Sequence, residues 1–378
     1  MGVGKLPFLK NLNREAAEVS ALGVASAAFE DGFNTAIDGC FNLAVIGDAG
    51  AGKSTLVNAI FDDEVAPTGI GAPVTLEATP YVNSTDTFRL WDFPGFELGK
   101  EFSTHAILKS IRKIQKGPAA ERIHAVWFCW NVGTGRLLPE HREVIAELGS
   151  LKLPVIGVLT KVRDNELDEA QEFADYIESQ DLGVVDPIVF TRAKKPTLGL
   201  AQLLDVTREV IPDPFRNALE AAQKIDLKAK RRVARGWIMA AAASAAAAAV
   251  VPVPVATATL LAPIQLGMLG KITKLYGNSL RNTLGAQGII QLALQLTGRA
   301  AAQSLVRLIP GAGKVINASV ASAWTYAAGE AWIQFCEKVY LGELDPRGVK
   351  NVWKMLSPVV TTLFKEKLAN ADTDDVED

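Results

Sequence analysis

Nine residues carry the chemistry most open to reading. Gly47-Asp48-Ala49-Gly50-Ala51-Gly52-Lys53-Ser54-Thr55 fills every required position of G-x-x-x-x-G-K-[ST]. The apolar run Leu43-Ala44-Val45-Ile46 before it reads as a strand, and Thr55-Leu56-Val57-Asn58-Ala59-Ile60 after it reads as a helix. Glycines let successive backbone N–H groups turn toward phosphate oxygens, and the helix N-terminus adds partial positive charge. In that arrangement Lys53 reaches the β- and γ-phosphates and the Ser54 hydroxyl ligates Mg²⁺. The stretch predicts binding of a nucleoside triphosphate.

Further pieces of such a site follow in order. Asp92-Phe93-Pro94-Gly95 closes a strand pattern with D-x-x-G, so that Asp92 suits a Mg²⁺ role and the Gly95 N–H suits a γ-phosphate sensor. Between the two motifs lies Pro67-Thr68-Gly69-Ile70-Gly71-Ala72-Pro73-Val74-Thr75, where a threonine hydroxyl can ligate Mg²⁺; Thr75 is favoured over Thr68. Two later loops are placed to hold a base: Thr160-Lys161-Val162-Arg163-Asp164 and Thr191-Arg192-Ala193-Lys194.

The elements that must position these residues alternate from 41 to about 212. Strand patterns fall at 41–46, 75–83, 87–92, 123–130, 153–160 and 187–191, and helical ones at 53–61, 100–116, 138–149, 167–179 and 199–210. Val126-Trp127-Phe128-Cys129-Trp130 and Val155-Ile156-Gly157-Val158-Leu159 are nearly all apolar, as strands covered on both faces are. The alternation predicts a mostly parallel wound sheet.

This order of motifs resembles the Era-like GTPases of the translation-factor class, over about residues 40–212. The Thr-Gly…Thr-Leu-Glu…Pro-Tyr and Trp-Asp-x-Pro-Gly wording is also similar to the immunity-related GTPases. The resemblance implies an α/β P-loop GTPase domain that takes GTP/GDP with Mg²⁺. It assigns Lys53, Thr75 and Gly95 to catalysis, and Ser54, Thr75 and Asp92 to the metal. Residues 47–55 then take the phosphates, and Thr160, Lys161, Asp164, Arg192, Ala193 and Lys194 take the base. Two departures stand out. The family's base-reading [NT]-K-x-D has Arg163 in its fourth place, with Asp164 one residue late, and its S-A-K is matched only by Ala193-Lys194. Phe96 stands where many relatives orient the attacking water with Gln, which implies slow hydrolysis. Immunity-related and dynamin-like GTPases also lack that Gln and pair across the nucleotide face, so nucleotide-dependent self-association is implied here.

Beyond Ile211-Pro212-Asp213-Pro214 the sheet pattern ends and an all-α helical domain is expected over 213–370, opening with a charged helix at 215–235. The 35 residues from Gly236 to Gly270 hold no charge, and two more uncharged runs lie at 282–298 and 315–329. Arms at 237–251 and 255–270, joined by prolines and preceded by Lys228-Ala229-Lys230-Arg231-Arg232, read as a hairpin dipping into a membrane; each arm is short of the about 20 residues that cross one. The alternative is an Ala/Gly-rich bundle packed in water. The stretch 224–340 resembles a bacterial domain of unassigned function found on Era-like GTPases and inner-membrane proteins. Residues 1–40 read as a helical leader, 340–370 as an amphipathic cap and 371–378 as an acidic disordered tail.

Composition sets the partners. The formal charge of −3 becomes +2 without residues 371–378, which hold five acids and no base, so no nucleic-acid partner is expected. Cys40, Cys129 and Cys336 form no metal-ligand spacing. No cleavable signal peptide is read at the start, and the location implied is cytoplasmic, peripheral to or embedded at the cytoplasmic face of a membrane. His105, His124 and His141 read as incidental. The function expected is a slow GTPase switch whose cycle drives membrane contact or self-association. The alternatives are a nucleotide sensor with negligible turnover, or an ATP-using P-loop protein.

Overall fold

The computed structural model describes residues 23–24, 26–61, 80–93, 101–250, 256–277, 279–297, 318–348 and 351–374. The chain forms two compact units, one of Asp38–Leu227 and one of Met1–Ile37 with Lys228–Asp378.

The first unit is built on a six-stranded sheet in the order β2-β3-β1-β4-β5-β6. Its strands are β1 (Phe41–Gly47), β2 (Pro80–Val82), β3 (Phe88–Asp92), β4 (Ala125–Asn131), β5 (Val155–Thr160) and β6 (Val184–Phe190). Every neighbouring pair runs parallel except β2 against β3, which makes the sheet mostly parallel, as expected from the sequence. The helices of this unit are α2 (Lys53–Ile60), α3 (Glu101–Lys116), α4 (Pro139–Ser150), α5 (Leu167–Glu178), α6 (Leu200–Val210) and α7 (Arg216–Ala222).

β1 and β5 are buried along their whole length because both faces are covered. Side chains alternate between the faces. Ala44, Ile46, Val126, Phe128 and Trp130 join one core with Ile107 and Ile111 of α3, Val144 and Leu148 of α4, and Phe173 and Ile177 of α5. Trp127 points the other way, and its indole N–H donates to Thr207 Oγ1 on α6 at 3.0 Å. On that face Phe61 stacks on Phe88 with ring centroids 3.9 Å apart. The strand order reverses between β1 and β4, and a crevice opens at such a point beyond the carboxyl ends of the strands.

Several expectations on element bounds differ: the last strand starts at Val184 rather than 187, and the last helix runs to Asp374, into the stretch expected as a disordered tail. The strand read at 75–83 is observed as Pro80–Val82, with 75–79 outside the described residues. The helix read at 215–235 is broken after Ala222, because the Gln223 side chain replaces helical hydrogen bonds. Its Oε1 accepts from the N–H groups of Ile225 and Asp226, each at 2.7 Å. Lys224 N–H then donates to Ile60 O at 2.8 Å, and Glu220 pairs with Arg208 of α6 at 2.5 Å. Residues 213–227 therefore pack with the sheet, and the contiguous unit ends at Leu227 rather than at 212.

The second unit is helical: α1 (26–35), α8 (Leu227–Ala249), α9 (Ala256–Leu275), α10 (Ser279–Thr297), α11 (Ala318–Tyr340) and α12 (Val352–Asp374). The described part of the expected leader thus folds with this unit. α1 meets α9 at glycines: a Cβ on Gly270 would lie 2.2 Å from Phe29 O, and one on Gly32 would lie 2.0 Å from Gly267 O. α11 is apolar nearly all round and buried, and two of its polar side chains, Thr325 and Glu337, are paired, whereas the buried Trp324 indole N–H has no hydrogen-bond partner among the described residues. Thr325 Oγ1 accepts from Gln265 at 3.0 Å, and Glu337 takes the Tyr276 hydroxyl at 2.8 Å as well as Arg231. In α12 Val352, Leu356, Val360 and Phe364 form the buried stripe of an amphipathic helix. Among the described residues no helix is long and apolar enough to cross a membrane. α8 buries Ala234, Ile238, Ala241, Ala242 and Ala245 and leaves Met239 exposed, and Val250 just beyond its end is exposed as well.

Candidate nucleotide site

β1 delivers the phosphate loop at the carboxyl edge of the sheet. Gly47 ends the strand in register with Cys129 of β4, so close that a Cβ would lie 2.1 Å from Cys129 O. Gly50 and Gly52 take φ of 74° and 92°, left-handed values that any other residue adopts with strain. Gly52 also caps α2, whose first turn carries Lys53, Ser54 and Thr55. The first amides of that turn have no carbonyl partner within the helix, which makes the loop an anion cradle. Asp48 is half-buried, whereas Ala49 is exposed and Ala51 is buried.

Lys53 is buried, and its Nζ donates to Gly47 O at 3.0 Å and Asp48 O at 3.1 Å. Burial lowers its pKa, with the Cys129, Asp92 and Asp48 acids pulling the other way. An ammonium held at an N-terminal helix edge and short of solvation is prepared for an anion. Asp92, at the end of β3, is pushed up by burial and drawn down by Lys53. Its Oδ1 is buried without a hydrogen-bond partner among the described residues. An unsatisfied carboxylate oxygen beside a buried lysine and the Ser54-bearing turn suits a divalent cation or its water. The neighbouring Cys129 thiol is pushed up to about 12 by burial and is inert.

The loop after β5 is tied to the phosphate loop by side chains. The Thr160 hydroxyl contacts both Ala51 O, at 2.5 Å, and Trp130 O, at 3.0 Å. Lys161 Nζ donates to Gly50 O at 2.6 Å, with its methylenes against Gly52 and its own φ at 62°. The loop after β6 joins them through Val162 N–H, which donates to Thr191 O at 3.1 Å. Arg192 Nη2 donates to Asp164 Oδ1 at 2.9 Å, and this contact lowers the Asp164 pKa. Arg163 instead points to solvent, with its N–H donating to Glu166 Oε2 at 3.1 Å. Ala193 and exposed Lys194 lie in a short loop closed by paired hydrogen bonds between Arg192 and Leu198. Thus Lys53, Ser54, Asp92, Thr160, Lys161, Asp164 and Arg192 all stand at one end of one sheet. Thr75, Gly95 and Phe96 lie outside the described residues.

Two histidines are not incidental. His141 of α4 is fully buried, and its Nε2 lies 2.8 Å from Asp48 Oδ1 in the phosphate loop. His124 accepts from Asn42 N–H at 3.1 Å and stacks on Phe215 at 3.6 Å between centroids. Sequence pattern marks neither, since the contacts to Asn42 and Asp48 join residues 82 and 93 positions apart.

Residues 42–161 match the family described as 50S ribosome-binding GTPase, less than half of the chain. Guanine nucleotides with Mg²⁺ are the ligands typical of that family, and the residues above fit them. Three solved structures are similar. A probable GTP-binding protein engB shares 18% identity and a TM-score of 0.33, over 45% of this chain and 98% of that one. Era from Aquifex aeolicus with GDP and aluminium fluoride bound shares 18% and 0.37, over 55% and 68%. An NFeoB from S. thermophilus bound to GDP shares 14% and 0.32, over 86% and 97%. No curated protein matches.

Proposed function

We propose that the protein is a GTP-binding switch that hydrolyses GTP slowly, with Mg²⁺ held by Ser54, Asp92 and Thr75. The observation that carries this reading is the pair of side-chain ties from Thr160 and Lys161 to the carbonyls of Ala51 and Gly50. They lock a base-binding loop to a phosphate-binding loop, which a site for phosphate alone has no need of. In the reaction Lys53 leaves the carbonyls of Gly47 and Asp48 and neutralises the phosphates, while the loop amides hold them. Asp164, oriented by Arg192, accepts from the base edge, and Lys161 covers its face. Mg²⁺ supplies charge neutralisation at the phosphates when bound. With Phe96 after the D-x-x-G stretch, the water-orienting group comes from elsewhere, and self-association across the nucleotide face is part of the proposal.

The test is calorimetry with non-hydrolysable GTP and ATP analogues in Mg²⁺, followed by phosphate release with GTP. Preference for the guanine analogue and a release rate per protein molecule that rises with protein concentration support the reading. Equal or ATP-favoured binding overturns it in favour of an ATP-using protein, and binding without release leaves a sensor.

A second reading, contact with a membrane surface, is favoured by the outer face of α8. That face is uncharged from Gly236 to Val250 and starts from Arg231, Arg232 and Arg235, although Glu337 and Glu330 engage two of these. Flotation with anionic vesicles tests it: absence from the floating fraction removes the membrane from the proposal.

A further inference from the structure

The phosphate loop contains an acid, Asp48, that a loop built for polyphosphate has no evident use for. Its partner is His141, in the first turn of α4. The imidazole is fully buried, and Nδ1 accepts from the Leu138 N–H at 3.2 Å and from the Trp130 indole N–H at 3.1 Å. With the Nδ1 lone pair facing two donors, the neutral ring carries its proton on Nε2. That proton is directed at Asp48 Oδ1 at 2.8 Å. The tautomer is thereby set from behind by a strand tryptophan and a helix-start amide.

Asp48 also meets Lys53. Its carbonyl accepts from Lys53 Nζ at 3.1 Å, and its carboxylate helps to hold the proton on that lysine. A free carboxylate at this point competes with phosphate for one cation, and like charges repel more strongly where water is scarce. We propose that His141 is a positioning residue for triphosphate binding: its Nε2–H holds the Asp48 carboxylate against α4, so that Lys53 meets the phosphates without competition. This role rests on the nucleotide reading above. The same contact fastens the phosphate loop to the first turn of α4, and so gives that helix a direct mechanical tie to the loop.

The test is a double-mutant cycle on the full chain, by calorimetry with a non-hydrolysable GTP analogue and with GDP. His141→Ala is expected to weaken the analogue about tenfold or more, and GDP less. Asp48→Asn in that background is expected to restore affinity to within about threefold of wild type, since the repelling charge is then gone. Rescue is what a purely packing role would not produce. Unchanged affinity in His141→Ala, or a loss that Asp48→Asn leaves in place, overturns the proposal while the nucleotide reading stands. Failure of the wild type to bind either ligand overturns both. If His141→Ala does not fold, ¹⁵N spectra of histidine in the wild type decide, with three residues to assign. An Nε2–H tautomer at His141 whose Nε2 resonance moves on adding the analogue supports the role. The opposite tautomer, or a resonance that stays put, overturns it.

Discussion

Arg192 donates from Nη2 to Asp164 Oδ1 at 2.9 Å, linking the loop after β6 to the loop after β5. Asp164 comes one residue later than a base-reading acid is expected, yet it opens a 3-10 turn, Asp164–Glu166, and is held by a cation from the facing loop. Arg163 turns out to solvent instead. Asp164→Ala should therefore reduce the preference for a GTP analogue over an ATP analogue about tenfold or more, the range of a charge-assisted hydrogen bond. Arg163→Ala should leave the ratio within about twofold. Competition binding with a fluorescent guanine nucleotide measures both.

Lys53 is the cation that the loop keeps short of water. Lys53→Ala should lower affinity for the triphosphate at least about 100-fold, because a buried charge-assisted contact is lost. Ser54→Asn should weaken binding mainly when Mg²⁺ is present. Calorimetry with and without the metal separates the two, and an unchanged Lys53→Ala affinity would remove the site assignment.

Thr160 serves two carbonyls from two elements, Ala51 of the phosphate loop and Trp130 of β4. Thr160→Val keeps the shape and deletes the hydroxyl, leaving those buried oxygens without that partner at about 1–3 kcal/mol. The expected result is a lower denaturant midpoint together with weaker nucleotide affinity. Thr160→Ser should retain both.

His124 makes stability depend on pH with one sign. Burial, aided by Arg89, lowers its pKa to about 4, whereas the unfolded side chain titrates near the ordinary histidine value of about 6.5. Between those values the unfolded chain binds the extra proton, so this residue's contribution falls as pH drops through that window. His124→Phe should flatten this part of the profile while losing the acceptor for Asn42 N–H. Urea midpoints from pH 7 to pH 4 give the comparison.

In the helical unit Gly270 lets α9 touch α1. Gly270→Val should drive α1 off its seat, since the first added carbon would lie 2.2 Å from Phe29 O. Overpacking of this kind costs about 1–3 kcal/mol. Limited proteolysis near residues 26–35 should accelerate, and nucleotide affinity should hold.

The sheet was readable because its strands are short apolar runs at the spacing of a wound fold, and the phosphate loop because glycine, lysine and serine have fixed offsets. Strand limits drifted where pairing decides them: β6 starts at Val184 because Val184 and Val185 find Val155 and Ile156, across an irregular register. The break at Gln223 was hidden because the side chain that makes it would suit a helix equally well. His141 was hidden for a different reason. Its meaning comes from Asp48, Leu138 and Trp130 converging in space, and no local period records that. The long alanine run shows the same limit, since one face of α8 is filled by neighbours that the run itself does not specify.

The grouping of α1 with α8–α12 has a consequence for biogenesis. Asp38–Leu227 is an insertion within a discontinuous helical unit, joined to it by two peptide connections. During synthesis the inserted unit is complete once Leu227 has emerged. α1 is made before that stretch yet waits through the whole of it for α9, keeping Phe29 and Phe33 uncovered. α1 is thus made before the inserted unit and buried after it, and its apolar face goes unshielded for the whole time that unit takes to be translated.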